Sequence, residues 1–235
     1  MKHVTTVIIG AGQSGLAFSK QLSGRGIDHV LLERGRVAHS WRTERWDTLR
    51  LLTPNWQSRL PGYRYTGSDP DGYMTMKEVV DFLQGYADFT GAPVEEETTV
   101  KAVRPIDGGY DVVTNRGTWR CRSVMIASGA CNIATTPKAA EGLPSSVRGI
   151  TPMEYRNPDA LEEGGVMVVG ASATGVQLAS EIQASGRPVT LCVGEHVRVP
   201  RMYRARDITW WMDVTGVMDL HYTEADDISR ARRVP

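Results

Sequence analysis

The hydrophobic and polar positions of this chain follow two different rhythms, and the points where one gives way to the other mark its elements. Residues 4 to 9, VTTVII, are an unbroken β-branched run with no helical period, as in a strand buried on both faces. Leu16, Ala17, Phe18 and Leu22 then supply the apolar side of a helix. Gly24 and Gly26 end that helix, and HVLLE, His29 to Glu33, predicts a second strand. A longer helix face follows in Val79, Val80, Phe82, Leu83, Tyr86 and Phe89, stopped by Gly91. The stretches VEEETTVKAVRP, GYDVVTNRG and TWRCRSVMIAS read as strands, with hairpin turns at Asp107-Gly108-Gly109 and Asn115-Arg116-Gly117. SVMIASGA, 123 to 130, ends this antiparallel stretch as a buried strand able to return to the parallel sheet. After a Pro- and Gly-containing linker at 134 to 146 the first rhythm repeats. Val166 to Val169 is a strand, Val176, Leu178, Ala179 and Ile182 a helix face, Gly186 a stop, and PVTLCV, 188 to 193, a strand.

Each strand-to-helix junction carries glycines at one spacing. In the first, Gly10 permits a tight turn, Gly12 lets backbone approach a pyrophosphate, and Gly15 lets the helix pack on the strand. The N–H groups at the helix start can hold the phosphates. Glu33 ends the second strand, where a carboxylate can accept from ribose hydroxyls. In the second, Gly170, Ser172 and Gly175 keep the spacing, with Ser where the middle glycine stood. Arg198, Arg201, Arg204 and Arg206 follow the strand after that turn. Such a cluster can pair the 2′-phosphate of NADP, the alternative being a solvated basic face. The expected architecture is α/β: two Rossmann-like dinucleotide-binding domains with parallel sheets, the first carrying a small antiparallel β insertion. The domains are expected at 1–150 and 160–235, for FAD and NAD(P) respectively.

Composition narrows the partners. The chain of 235 residues has 27 Lys plus Arg and 27 Asp plus Glu, so no global charge points to nucleic acid or an anionic membrane. Trp41, Trp46, Trp56, Tyr63 and Tyr65 stand among arginines, but with that charge balance they read as loop and short helix covering a cofactor. The opening apolar run is too short for a signal sequence or a span, which leaves the cytoplasm as the expected location. Cys121, Cys131 and Cys192 form no CxxC, which fits free thiols and no metal site. None of the five histidines has an acid at a readable spacing, so they read as structural or surface residues.

With GAGQSG, HSWR, LRLLTPNWQSRLPG, IASGACNIATTP, YRNP, VVGASATGVQLASEI and PRMYRARDITWW, the chain resembles the flavin-containing monooxygenase-like flavoproteins with two dinucleotide-binding domains. The resemblance implies that Gly10, Gly12, Gln13, Ser14 and Gly15 hold the FAD pyrophosphate. Glu33 and Arg34 would hold its ribose side, Ser40 and Trp41 would lie near the flavin, and Ala127-Ser128-Gly129 would close on FAD. Gly170, Ser172, Thr174 and Gly175 would hold NADP, with Arg198 and Arg201 at its 2′-phosphate. Asn55 would be the catalytic side chain. The reaction implied is an NADPH-dependent monooxygenation in which O2 adds to FAD as a C4a-hydroperoxide and one oxygen passes to a small organic substrate. The family's linker motif, F-x-G-x-x-x-H-x-x-x-(Tyr or Trp), is broken here: Tyr155 fits, but Thr151 stands where the histidine should be.

Two other readings remain. A disulfide reductase of the same architecture would need a redox-active CxxC or CxxxxC at the flavin, and neither is present. A non-catalytic or degenerate nucleotide-binding fragment would bind without turnover. The second half offers one strand–helix–strand unit where a mononucleotide-binding half wants βαβαβ, so an incomplete flavoprotein is expected. Substrate identity and oligomeric state are not encoded in any feature above.

Overall fold

A computed structural model describes residues 1–130, 133–194 and 200–224 and divides the chain into two compact units. The first comprises Met1–Arg50, Asn55–Pro70 and Met74–Arg156. The second comprises Leu51–Pro54, Asp71–Tyr73 and Asn157–Pro235.

In the first unit β1 (Lys2–Ile9), α1 (Gln13–Ser23) and β2 (His29–Leu32) form the expected strand–turn–helix–strand order. After α2 (His39–Thr43) come a short antiparallel pair, β3 (Arg59–Leu60) and β4 (Tyr63–Arg64), and then α3 (Met76–Thr90). The strands β5 (Val94–Glu95), β6 (Val100–Ile106), β7 (Gly109–Thr114) and β8 (Gly117–Ile126) complete a six-stranded sheet ordered β5-β2-β1-β8-β7-β6. The pairs β5/β2, β2/β1 and β1/β8 are parallel, while β8/β7 and β7/β6 are antiparallel. The ten-residue β8 therefore does two jobs. Gly117–Cys121 close the hairpin with β7, and Trp119–Ile126 lie beside β1, with Ile126 opposite Ile9. The unit thus contains a βαβαβ run, β1-α1-β2-α3-β5, with β8 on the far side of β1.

The sequence predicts one strand from Val94 onward; the structure breaks it. Glu97 adopts a left-handed conformation (φ 53°), its N–H donates to the Gly35 carbonyl, and Thr98 N–H donates to the Glu33 carbonyl. Thr98 is buried, so this bend closes the β2 end of the sheet and β6 starts afresh. The core is Val7, Ile8, Leu16, Leu31 and Leu32, with the buried Ser19 hydroxyl bonded to His29 Nε2 at 2.8 Å. His29 Nδ1 faces the Ile27 carbonyl at 2.8 Å, so in the neutral ring Nδ1 carries the proton and Ser19 donates to Nε2.

In the second unit β9 (Val166–Val169) and β10 (Val189–Cys192) pair in parallel through α4 (Ala173–Ala184). A hairpin of β11 (Met202–Tyr203) and β12 (Arg206–Asp207) leads directly into α5 (Ile208–Val214). Among the described residues no helix is long and apolar enough to cross a membrane.

Candidate functional site

The two glycine turns repeat one geometry. Gly10 and Gly170 have φ of 106° and 105°, a region open to glycine. A Cβ on Gly15 would run into the Gly10 carbonyl oxygen, and one on Gly175 into the Gly170 carbonyl oxygen. These four glycines are dictated by the fold. Gly12 is different. Its φ is −90°, which any residue can adopt, and nothing lies within 4 Å of where its Cβ would be. Neither the backbone conformation nor the packing of the chain requires a glycine there. A ligand approaching the backbone would.

The helix starts support the same conclusion. The first bond of α1 runs from Leu16 N–H to the Gly12 carbonyl, which leaves the N–H groups of Gln13, Ser14 and Gly15 beyond the helical ladder. No side chain caps α1. At α4, Ser172 is a strong capping residue type, yet its hydroxyl makes no cap bond. By contrast α3 has a full capping box from Thr75 and Glu78, and α5 is capped by Asp207. The two helices behind glycine turns thus lack the side-chain cap that α3 and α5 have, as does the five-residue α2, and their first-turn N–H groups suit an anionic phosphate.

Around the first turn the fold collects most of the predicted residues. Glu33 is buried, and its carboxylate accepts Ala11 N–H at 2.8 Å on one oxygen and Gly35 N–H at 3.1 Å on the other. Each carboxylate oxygen has a second lone pair, so ribose hydroxyls can still be received. Gly10 packs against the Ala127–Ser128 turn: its Cβ would sit 2.6 Å from the Ala127 carbonyl oxygen. Gly129 in that turn has φ 84°. Ala38, which the sequence reading missed, sits left-handed at φ 62°, and its N–H donates to the Ala11 carbonyl at 3.3 Å. It thereby sets α2, which carries Ser40 and Trp41, against the glycine turn. The Arg45 guanidinium stacks 5.5 Å above the Trp41 ring. Arg34 is exposed and pairs with Glu44.

Asn55 is buried and its bonds stay within its own loop. Nδ2 donates to the Asp69 carbonyl at 2.9 Å, which fixes the amide orientation. Oδ1 has no hydrogen-bond partner among the described residues, so the unused atom of Asn55 is an acceptor. In the second unit Thr174 lies half-buried in the first turn of α4. Arg201 is paired with Asp207 at 2.7 Å, lies over the Tyr73 ring at 5.0 Å, and donates to the Leu52 carbonyl. Arg198 and Cys131 lie outside the described residues. Burial raises the Cys121 thiol above its ordinary pKa, as expected of an inert core thiol, and Cys192 belongs to the other unit.

With this geometry in view, comparison with known proteins gives a consistent answer. The family profile described as pyridine nucleotide-disulphide oxidoreductase matches residues 7–208. The chain belongs to that family. An oxidoreductase described as CzcO-like from Geobacillus kaustophilus (strain HTA426) is 35% identical over 224 residues, covering 94% of this chain and 64% of the relative. The chain thus spans less than two thirds of that relative's length. Among solved structures, a flavin-containing monooxygenase from Stenotrophomonas maltophilia is 25% identical with a TM-score of 0.74, covering 100% of this chain and 69% of that one. The bacillithiol disulfide reductase Bdr from Staphylococcus aureus has a TM-score of 0.72 at 16% identity, covering 93% of this chain and 64% of that one, a likeness of fold. In this pyridine nucleotide-disulphide oxidoreductase chain the two strand–turn–helix units that define the fold are both present.

Proposed function

We propose that this chain is the nucleotide-binding part of an FAD- and NADPH-dependent flavoprotein monooxygenase acting on a small organic substrate with O2. The observation that carries the reading is Gly12, a glycine with no conformational or packing reason to be one, at an uncapped helix start beside the buried Glu33. Gly12, Gln13, Ser14 and Gly15 would hold the FAD pyrophosphate through backbone N–H groups, and Glu33 its ribose. Ser172, Thr174 and Gly175 would hold the NADPH pyrophosphate at the start of α4. Bound FAD would accept hydride from NADPH and activate O2 for transfer of one oxygen atom. The chain's part is orientation and exclusion of water. Asn55 would contribute an acceptor oxygen toward an N–H or O–H of substrate or cofactor.

The monooxygenase reading takes support from the similarity to the Stenotrophomonas maltophilia enzyme. Among the described residues no thiol favours the likeness to the disulfide reductase: neither glycine turn contains a cysteine, and Cys121 is buried in the sheet. The test is the visible spectrum of the protein mixed with FAD, before and after anaerobic NADPH, followed by O2. Flavin bleaching that is reversed by O2 is the expected result. Bound flavin that NADPH cannot reduce would instead support the non-catalytic reading.

A further inference from the structure

The YRNP segment, within which the first unit ends at Arg156, contains a side chain whose bonds are all to backbone carbonyls. Arg156 Nη2 donates to the Thr43 carbonyl at 2.9 Å. Its Nη1 is shared among the carbonyls of Arg45, Met153 and Tyr155 at 3.2, 3.1 and 3.2 Å. The Arg156 carbonyl in turn accepts Asp47 N–H at 2.9 Å. Thr43 is the last residue of α2, so its carbonyl is one of those a helix end leaves unsatisfied, and a guanidinium suits that negative end. The turn that presents Arg156 is itself fixed. The Glu154 carboxylate accepts Thr151 N–H at 2.9 Å and Thr151 O–H at 2.8 Å, and Tyr155 is buried. At its other end α2 is preceded by its N-cap Ala38, which is bonded to Ala11 in the first glycine turn. The Arg45 residue that Arg156 grips by its carbonyl stacks its guanidinium on Trp41.

We propose that Arg156 is a positioning residue for the flavin site. It fixes the C-terminal end of α2 and the Arg45 backbone, and so holds the Trp41 ring and the Ala38–Ala11 junction in the arrangement that receives FAD. The inference rests on the reading of the first unit as an FAD site. Arginine suits the role because its planar fork reaches carbonyls on two sides of one plane, which a lysine ammonium cannot do from one position.

The experiment compares the full chain with Arg156→Ala, Arg156→Lys and, as a control, Arg122→Ala, an exposed position on β8. Three readouts are taken: FAD titration, visible circular dichroism of the bound flavin, and hydrogen exchange of the 39–47 segment. Arg156→Ala should weaken FAD about tenfold, equivalent to about 1.4 kcal/mol. It should also change the flavin dichroism and speed exchange of that segment at least tenfold. Arg156→Lys should fall between it and the parent, and Arg122→Ala should match the parent. Parent-like FAD affinity and dichroism in Arg156→Ala overturn the proposal, even with faster exchange, since the arginine would then be structural only. If Arg156→Ala does not fold, Arg156→Lys and Arg156→Gln decide: parent-like affinity in both overturns the proposal, graded loss supports it. A parent that binds no FAD sinks the functional reading and this inference together, whereas a parent that binds FAD beside an indifferent Arg156→Ala sinks this inference alone.

Discussion

Asp207 holds Arg201 at 2.7 Å with one carboxylate oxygen while its other oxygen caps α5. The oxygen facing Arg201 also receives the Tyr73 hydroxyl at 2.6 Å. The capping oxygen receives Thr209 N–H at 2.8 Å and Thr209 O–H at 2.6 Å. Four donors thus converge on one carboxylate whose side chain is only 10% exposed, and Arg201 is committed before any nucleotide arrives. A 2′-phosphate would have to displace a carboxylate already in contact. Arg201→Ala is therefore expected to destabilise the protein by about 1–3 kcal/mol, less than a fully buried pair because Arg201 is partly exposed. Discrimination between NADPH and NADH should change less than about threefold, under about 0.7 kcal/mol. Flavin-reduction rates with both nucleotides provide the check. A tenfold or greater loss of discrimination would instead make Arg201 the reader of the 2′-phosphate.

The same cluster sets a pH dependence with two limbs. Burial alone would raise the Asp207 carboxyl, but hydrogen bonds from Thr209 and Tyr73 and the charge of Arg201 outweigh it and hold the group below its ordinary value. Its contribution is present above the unfolded value of about 3.9 and is lost as pH falls through the lower folded value. Tyr73 is pushed above its ordinary value by burial and by its bond to Asp207. The stability it contributes is present below about 10 and is lost as pH rises through the higher folded value. Thermal midpoints measured against pH should show both limbs in the parent. Asp207→Asn should flatten the acid limb and Tyr73→Phe the alkaline one. An acid limb unchanged in Asp207→Asn would remove Asp207 as its source.

The glycines of the first turn should separate fold from ligand. Gly12→Ala meets no atom of the protein and needs no forbidden φ, so it should fold with parent-like stability. Gly15→Ala drives a methyl into the Gly10 carbonyl between strand and helix and should cost several kcal/mol, on the order of 3. FAD affinity should fall in Gly12→Ala, and Gly12→Val should abolish stoichiometric flavin. Thermal melts beside flavin titrations make the comparison. A Gly12→Val protein that still holds one FAD would refute the assignment of this turn.

Much of this was legible in the chain because periodicity and glycine spacing are local properties. VTTVII, GAGQSG and HVLLE predict β1, the first turn and β2, and the structure places them within two residues. The two hairpin turns and the return of β8 to the parallel sheet were legible for the same reason. The break at Glu97 was not, since it depends on carbonyls of Glu33 and Gly35 far away in sequence. Nor did any local signal assign 51–54 and 71–73 to the second unit. That follows from the hydrogen bonds of Leu52 and Tyr73 with Arg201 and Asp207. Ala38 escaped notice because alanine carries no mark of a left-handed residue, and Arg156 because a guanidinium bound to carbonyls looks like any other arginine in the sequence.

Asn55 has a defined chemical capacity that a substitution can isolate. Its Nδ2 is tied to the Asp69 carbonyl, and its Oδ1 has no hydrogen-bond partner among the described residues. Asn55→Ala removes both, costing about 1–2 kcal/mol of stability through the lost bond to Asp69. Asn55→Asp keeps an oxygen but places a carboxylate in a buried site against a carbonyl, which should cost more. If Oδ1 receives a donor from substrate or cofactor, Asn55→Ala should keep FAD and lose turnover by about tenfold or more. Single-turnover oxidation after NADPH reduction is the measurement. Parent-like turnover in a folded, flavin-loaded Asn55→Ala would leave Asn55 as a loop staple.

The second unit has a face that water should not be expected to tolerate quietly. Strands paired in parallel are ordinarily covered on both sides. Here Val166 and Val168 are half-buried, while Met167 and Val169 are 65% and 71% exposed, and Val193 beyond the end of β10 is 59% exposed. The register sets Met167 opposite Thr190 and Val169 opposite Cys192, so the exposed apolar groups on this face are those of β9, and exposed apolar groups drive association. Expressed as these 235 residues, the protein should self-associate as its concentration rises. The double change Met167→Lys and Val169→Thr keeps strand propensity at 169 and places a charge at 167. It should reduce association without lowering the thermal midpoint, because neither side chain is buried. Light scattering and sedimentation across a concentration series give the answer. A parent that stays monomeric throughout, or a double variant that unfolds earlier, would mean that this face is covered in solution by the protein's own structure.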